Sequence, residues 1–142
     1  MMRDTAALDG LSFADLCARL QLSAAEDGTW RHALPDKNDT SFMGGTLIAL
    51  PVGEIVPWQR CPTARRLLHI AGAPMALSLS PNGHSAEAHH LTANAEFTIA
   101  AHCWHTIESF GHWSLFEVTG SDSELAPADW FPTPMGHPQG LA

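Results

Sequence analysis

Beyond Glu26 the chain is cut by Gly, Pro and Asn into short strand-sized segments, and this punctuation most narrows what it can fold into. Gly44-Gly45 precedes a strand-sized run at 46–50, and Pro51-Val-Gly53 makes a turn. Further strands are expected at 54–60, 65–70, 74–80, 96–100, 103–108 and 112–119. Short strands with turns every eight to twelve residues indicate a sandwich or barrel, and no repeat or low-complexity block interrupts them. Ser80-Pro-Asn-Gly83 is a strong turn, and the polar stretch through His90 that follows it reads as a hairpin over an exposed edge. The proline-rich end, from Ala126, is expected not to extend a sheet but to pack Trp130 and Phe131 on the barrel.

One helix precedes the strands. Ser12-Phe-Ala-Asp15 has the form of a helix start, and Phe13, Leu16, Cys17 and Leu20 share one face of a helix ending near Leu22. The organisation read from this is a flexible N-terminus over 1–11, one domain over 12–131 and a tail over 132–142. A chain of 142 residues buries enough surface for a core without disulfide or metal staples, so a metal here would be functional.

Charge removes whole classes of partner. Fifteen Asp and Glu against seven Lys and Arg give a net charge of −8, which argues against nucleic-acid backbone and anionic membranes. The most apolar run, Thr46-Leu-Ile-Ala-Leu50, is far too short to span a bilayer. The start, Met-Met-Arg-Asp, lacks the pattern of a signal peptide, and a cytoplasmic location is expected. Three widely spaced cysteines, Cys17, Cys61 and Cys103, fit neither a zinc knuckle nor a disulfide framework. Nine histidines are the one surplus, consistent with a metal site, a proton-transfer site or polar surface.

The informative constellation lies between Gly53 and Gly72, where Gln59, Cys61 and Arg65 stand at fixed intervals, followed some forty residues later by Ala100-Ala-His-Cys-Trp-His105. This spacing resembles the two signatures of the cupin superfamily, whose metal is held by two histidines and a glutamate at the positions of Gln59, Cys61 and Arg65, and by a last histidine at the position of His105. More narrowly, the chain resembles the small single-domain family cupin_5, through Glu26-Asp-Gly-Thr-Trp-Arg31, Gly53-Glu54, Trp58-Gln-Arg60, Ala71-Gly72, Cys103-Trp104 and Gly111-His-Trp113-Ser-Leu115. The resemblance covers about residues 12–131. It implies an all-β fold, the cupin-type double-stranded β-helix (jelly-roll) barrel with a short N-terminal helix, in a homodimer.

The departures from the motif carry the functional reading. Only His105 keeps an ordinary ligand; Gln59 is a poor one, Cys61 could bind as thiolate, and Arg65 would repel a cation. Strand alternation then lines the barrel with Gln59, Cys61, Arg65, Leu67, His69, Cys103 and His105, with Trp30, Phe110 or Trp113 as walls. Such a pocket suits a small, partly apolar, anionic molecule and needs no metal cofactor: Arg65 receives negative charge and His105 moves protons, as in an isomerase, cyclase, lyase or epimerase. Two readings compete. One is a metal enzyme of dioxygenase or hydrolase type with zinc, iron, manganese or nickel on Cys61, His105, His69 and Gln59. The other is a non-catalytic small-molecule sensor or binding module. Cys61 and Cys103 also read as small core residues, with a disulfide between them disfavoured by the compartment. Trp58 and Trp104 read as core or interface residues, His84, His89, His90, His112 and His137 as solvated, and His102 as a turn residue.

Overall fold

The computed structural model describes residues 8–25, 29–33, 45–119, 124–126 and 133–134. Among the described residues one helix, α1 (Phe13–Leu20), is followed by twelve strands. They are β1 (Ser23–Ala24), β2 (Trp30–Ala33), β3 (Thr46–Pro51), β4 (Gln59–Arg60), β5 (Arg65–Gly72) and β6 (Met75–Ser80). β7 (Ser85–Leu91), β8 (Glu96–Ile99), β9 (Trp104–Ser109), β10 (Trp113–Val118), β11 (Glu124–Leu125) and β12 (Thr133–Pro134) complete them. Two six-stranded sheets result, ordered β1-β2-β3-β10-β5-β8 and β11-β4-β9-β6-β7-β12. Besides the consecutive pairs β1-β2, β2-β3 and β6-β7, strands far apart in sequence pair, such as β3 with β10 and β4 with β9, the topology of a jelly roll.

α1 begins where Ser12 accepts a hydrogen bond from the Asp15 N–H at 3.2 Å, so a side chain takes the place of the missing helical acceptor. It ends at Gln21, whose left-handed backbone (φ 56°) returns its N–H to the last turn. Leu16, Cys17 and Leu22 face the first sheet and join Leu47, Ala49, Leu68, Ile70, Ala71, Trp113 and Leu115 in one apolar cluster. The residues before the helix are anchored rather than loose from Leu8 onward. Asp9 accepts from the Gly72 N–H at 2.9 Å, and Trp113 donates its indole N–H to Leu11 O at 2.9 Å. Gly72 itself must be glycine: its φ is +88°, and a Cβ there would lie 2.4 Å from the Trp113 ring.

The other face of the same sheet looks into the barrel. Ile48, Leu50, Leu67, Phe116 and Val118 meet Val56, Met75, Leu77, Leu91, Ile99, Cys103 and Ile107 there. The first sheet is therefore covered on both faces, and all six residues of β10 are buried. Within it, Glu117 points toward the α1 side and accepts the Gly45 N–H at 2.9 Å, so its carboxylate serves a backbone donor outside the barrel.

Three segments differ from the sequence reading. The strand expected at 54–60 shrinks to Gln59–Arg60 plus an isolated bridge at Ile55, because Gly53 (φ 87°) and Pro57 interrupt extended pairing. The polar stretch after Gly83 forms the hairpin expected there, and beyond that reading its returning arm is a regular strand, β7, whose pairing with β6 needs no apolar sequence on its outer face. The proline-rich end does extend a sheet, since β12 runs parallel to β7 at the edge where proline is tolerated; just before that end, β11 pairs with β4. Trp130, Phe131 and His137 lie outside the described residues.

Candidate functional site

Four side chains named from the motif spacing meet at one end of the barrel. Gln59 on β4 is paired in register with His105 on β9, so both project from the same face of the second sheet. Arg65 opens β5 opposite Ile99 and alternates inward with Leu67 and His69, while Leu68 and Ile70 face α1. The guanidinium thus enters from the first sheet and meets the two residues supplied by the second. Its Nε donates to Thr119 O at 3.0 Å, and its Nη1 reaches Gln59 Oε1 at 3.4 Å and His105 Nε2 at 3.3 Å. The Cys61 side chain also lies within hydrogen-bonding reach of the guanidinium.

These contacts fix the state of His105. Its Nδ1 lies 3.0 Å from Cys103 O, and a carbonyl can only accept, so Nδ1 carries the proton. Nε2 is then a lone pair, matched to the Arg65 donor. Burial is the main reason that protonating this imidazole is costly, and the adjacent Arg65 charge adds to it; the Cys103 carbonyl works in the other direction. Together they hold its pKa down at about 4, so His105 is neutral at neutral pH. Burial likewise lowers the pKa of Arg65, and the positive charge of Arg31 pushes the same way against a favourable Cys61. Burial pushes the Cys103 thiol up, which makes it a poor nucleophile.

The remaining predicted residues divide. Leu67 and Cys103 belong to the barrel-interior cluster. His69 is fully buried on the inner face opposite Phe116, with Nε2 donating to Ala71 O at 3.1 Å and Nδ1 lacking a hydrogen-bond partner. It stands four residues along β5 from Arg65, about 13 Å of strand. Trp30, Phe110 and Trp113 are not brought to the site. Trp30 and Trp113 occupy the opposite face of the first sheet under α1, where Trp30 meets Phe13 edge to face at a centroid distance of 6.2 Å. Phe110 is exposed in the connection between β9 and β10 and packs on His90. All three wall assignments are therefore corrected. The cysteines are free thiols.

Arg31 was missed. It lies on β2 opposite Ile48, and its Nε donates to Thr29 Oγ1 at 2.9 Å. The alternation of Trp30, Arg31 and His32 would have placed it on the face opposite to Trp30, had that tryptophan been assigned to the helix side. Outside the barrel at the same end, Arg60, Cys61, Pro62, His102 and Glu124 line a cleft of about 390 Å³. Arg60 and Glu124 pair within it at 2.9 Å, and Arg60 lies over Trp104 at 4.5 Å. Cys61 is common to the cleft and to the Arg65 contacts. His102 turns the chain here in the left-handed region, φ 65°, and donates its N–H to Cys61 O at 2.7 Å.

A metal of the cupin kind does not fit these residues. Among the described residues no group of three His, Cys, Asp or Glu side chains is placed to hold an ion. The lone pair that His105 would offer to a metal instead accepts from the Arg65 guanidinium, a permanent cation at the carboxylate position of the motif.

No model of a known protein family matches the sequence, and no curated protein matches it. Solved structures do. A Shewanella oneidensis protein superposes with a TM-score of 0.66 at 18% identity, over 82% of this chain and 85% of that one. A hypothetical protein from Leishmania major gives 0.66 at 11% identity, over 82% and 88%. Bacillus subtilis oxalate decarboxylase, described with Mn(II) centres, gives 0.55 at 15% identity over 73% of this chain, which spans 29% of that longer one. The likeness is one of fold: the chain is a cupin-type jelly roll. No helix among the described residues is long and apolar enough to cross a membrane.

Proposed function

We propose that the barrel binds a small, partly apolar molecule through a negatively charged group received by Arg65. The observation that carries this reading is the company the guanidinium keeps. Its partners among the described residues are a backbone carbonyl, an amide oxygen, an imidazole lone pair and a thiol, and none of them is a carboxylate. A charge taken partly out of water among neutral acceptors is stabilised by a counter-ion, and the planar guanidinium suits a carboxylate or phosphate. The apolar interior behind it, Leu67, Ile99 and Val118, suits an uncharged body.

Where such a ligand is turned over, the geometry supports proton transfer of the isomerase, epimerase or lyase type. His105 Nε2 is the ring nitrogen able to take up a proton, and an anion on Arg65 would sit beside it and raise its basicity. The test is calorimetric titration of butyrate and of inorganic phosphate into the wild type and Arg65→Gln. Binding that weakens about tenfold or more in the variant, with its fold intact by circular dichroism, is expected. Equal binding by both proteins, or none by the wild type, would overturn the reading.

A further inference from the structure

We propose that Glu87 supplies the opposite pole of this site, so that the barrel prefers a small zwitterion whose anionic group meets Arg65 and whose ammonium group meets Glu87. The proposal rests on the reading of Arg65 as an anion receiver and adds the chemistry at the ligand's other end. Side chains on β7 alternate in direction, and Leu91 belongs to the barrel-interior cluster, so His89 and Glu87 share that inner face while Ala88 and His90 turn outward. Register carries the assignment across the second sheet. Gln59 pairs with His105, His105 with Leu79 and Leu79 with Glu87, one unbroken row of residues on the inner face.

The first sheet closes the same ring. His89 lies against Phe97 at a ring-centroid distance of 4.9 Å, and Phe97 pairs with Leu67. Two residues further along each of these strands, toward the site, Glu87 comes level with Ile99 and Arg65, which pair with each other. From the other side Arg65 Nη1 reaches His105 Nε2 at 3.3 Å. One route through the edges of β7 and β8 and another through β9 thus set the guanidinium and the carboxylate in a single cross-section of the barrel. Two strand spacings separate the backbones of His105 and Glu87, about 10 Å, and Leu79 and Ile99 make the intervening surface apolar. A short aliphatic chain spans that gap. The ring is closed at one side and open at the other: His105 is 0% exposed, whereas the Glu87 side chain is 65% exposed. Among the described residues Glu96 and Glu124 are each held by an arginine, while the basic neighbour of Glu87 is the His89 ring at 3.9 Å. A carboxylate so placed attracts an ammonium group and repels a second negative one.

The experiment titrates straight-chain acids of equal length, 5-aminovalerate, valerate and glutarate, by calorimetry at neutral pH and low ionic strength. The proteins are the wild type and the variants Glu87→Gln, Glu108→Gln and Arg65→Gln. The wild type is expected to bind 5-aminovalerate about fivefold more tightly than valerate, and to bind glutarate more weakly than 5-aminovalerate. Glu87→Gln changes an exposed side chain, keeps the fold by circular dichroism, and should bring 5-aminovalerate and valerate to within about twofold of each other. Glu108→Gln removes the same formal charge from the outer face of the same sheet, where Glu108 pairs with Ala76, and should leave the ratio intact. The proposal is overturned if Glu87→Gln retains the preference, if Glu108→Gln erases it equally, or if the wild type binds valerate or glutarate as tightly as 5-aminovalerate. Failure of the underlying reading looks different: none of the acids binds, or Arg65→Gln holds valerate as well as the wild type does.

Discussion

Among the described residues two histidines are fully buried in the barrel interior, and their surroundings treat the same side chain in opposite ways. Around His105 each ring nitrogen has a partner, one of them a cation, and the neighbours are polar: Gln59, Cys61 and Arg65. Around His69, nearer the turn from β5 into β6, the partner across the ladder is Phe116, one nitrogen donates to Ala71 O, and the other meets no donor. The first region uses hydrogen bonds to hold a charge in place. The second uses apolar packing and tolerates an orphaned lone pair. Burial alone therefore does not mark a functional histidine here; the difference lies in what the second ring nitrogen faces.

The sharpest way to break this comparison is to compare the two regions by stability. Phe116→Ala should cost about 3–5 kcal/mol in urea or thermal unfolding, because it empties a fully buried aromatic site. Arg65→Met should change stability by no more than about 1 kcal/mol in either direction, since it also removes a partly buried charge held by neutral partners. Equal losses in the two variants would show that the Arg65 end is as structural as the other.

A pH titration of stability sharpens the contrast. Folded His105 titrates at about 4 against an ordinary 6.5, so the unfolded chain binds a proton that the folded one refuses. Its contribution is constant above about pH 6.5 and falls as pH drops toward 4, by up to about 1.4 kcal/mol per pH unit. Replacing His105 by Gln should flatten that part of the curve measured by chemical denaturation between pH 4 and 7. An unchanged slope would mean that His105 is not held neutral by the fold.

The smallest effect belongs to the orphaned lone pair. His69→Leu loses one hydrogen bond to Ala71 O but also removes an unsatisfied buried nitrogen, and the two terms nearly offset, leaving stability within about 1 kcal/mol and favouring a rise. A loss of several kcal/mol on thermal unfolding would place His69 with His105 as a residue whose polarity the fold requires.

These contrasts also explain what was legible in the chain. The spacing from Gly53 to Gly72 and the later His105 fixed which residues share a face, because a two-residue period leaves little freedom once the turns are located. Gln59, Cys61, Arg65 and His105 accordingly meet. Which face was inward could not be read elsewhere, because α1 covers the outer side of the first sheet and both faces are apolar there. Trp30 and Trp113 therefore looked like pocket walls. The same ambiguity hid Arg31, whose inward direction is visible only once Trp30 is known to pack under the helix. The short pairing of β12 was hidden by proline, which signals a break but does not forbid an edge.

Arg65 at the carboxylate position of the motif has one more consequence. A metal centre has to be filled after folding, sorted among competing ions and kept from chelators. A guanidinium is translated with the chain, is in place when β5 forms, and cannot be exchanged or stripped. The charge that Arg65 brings to this end of the barrel is set by the gene. Changing its character takes a mutation, whereas a metal site can be altered by changing what is dissolved around it.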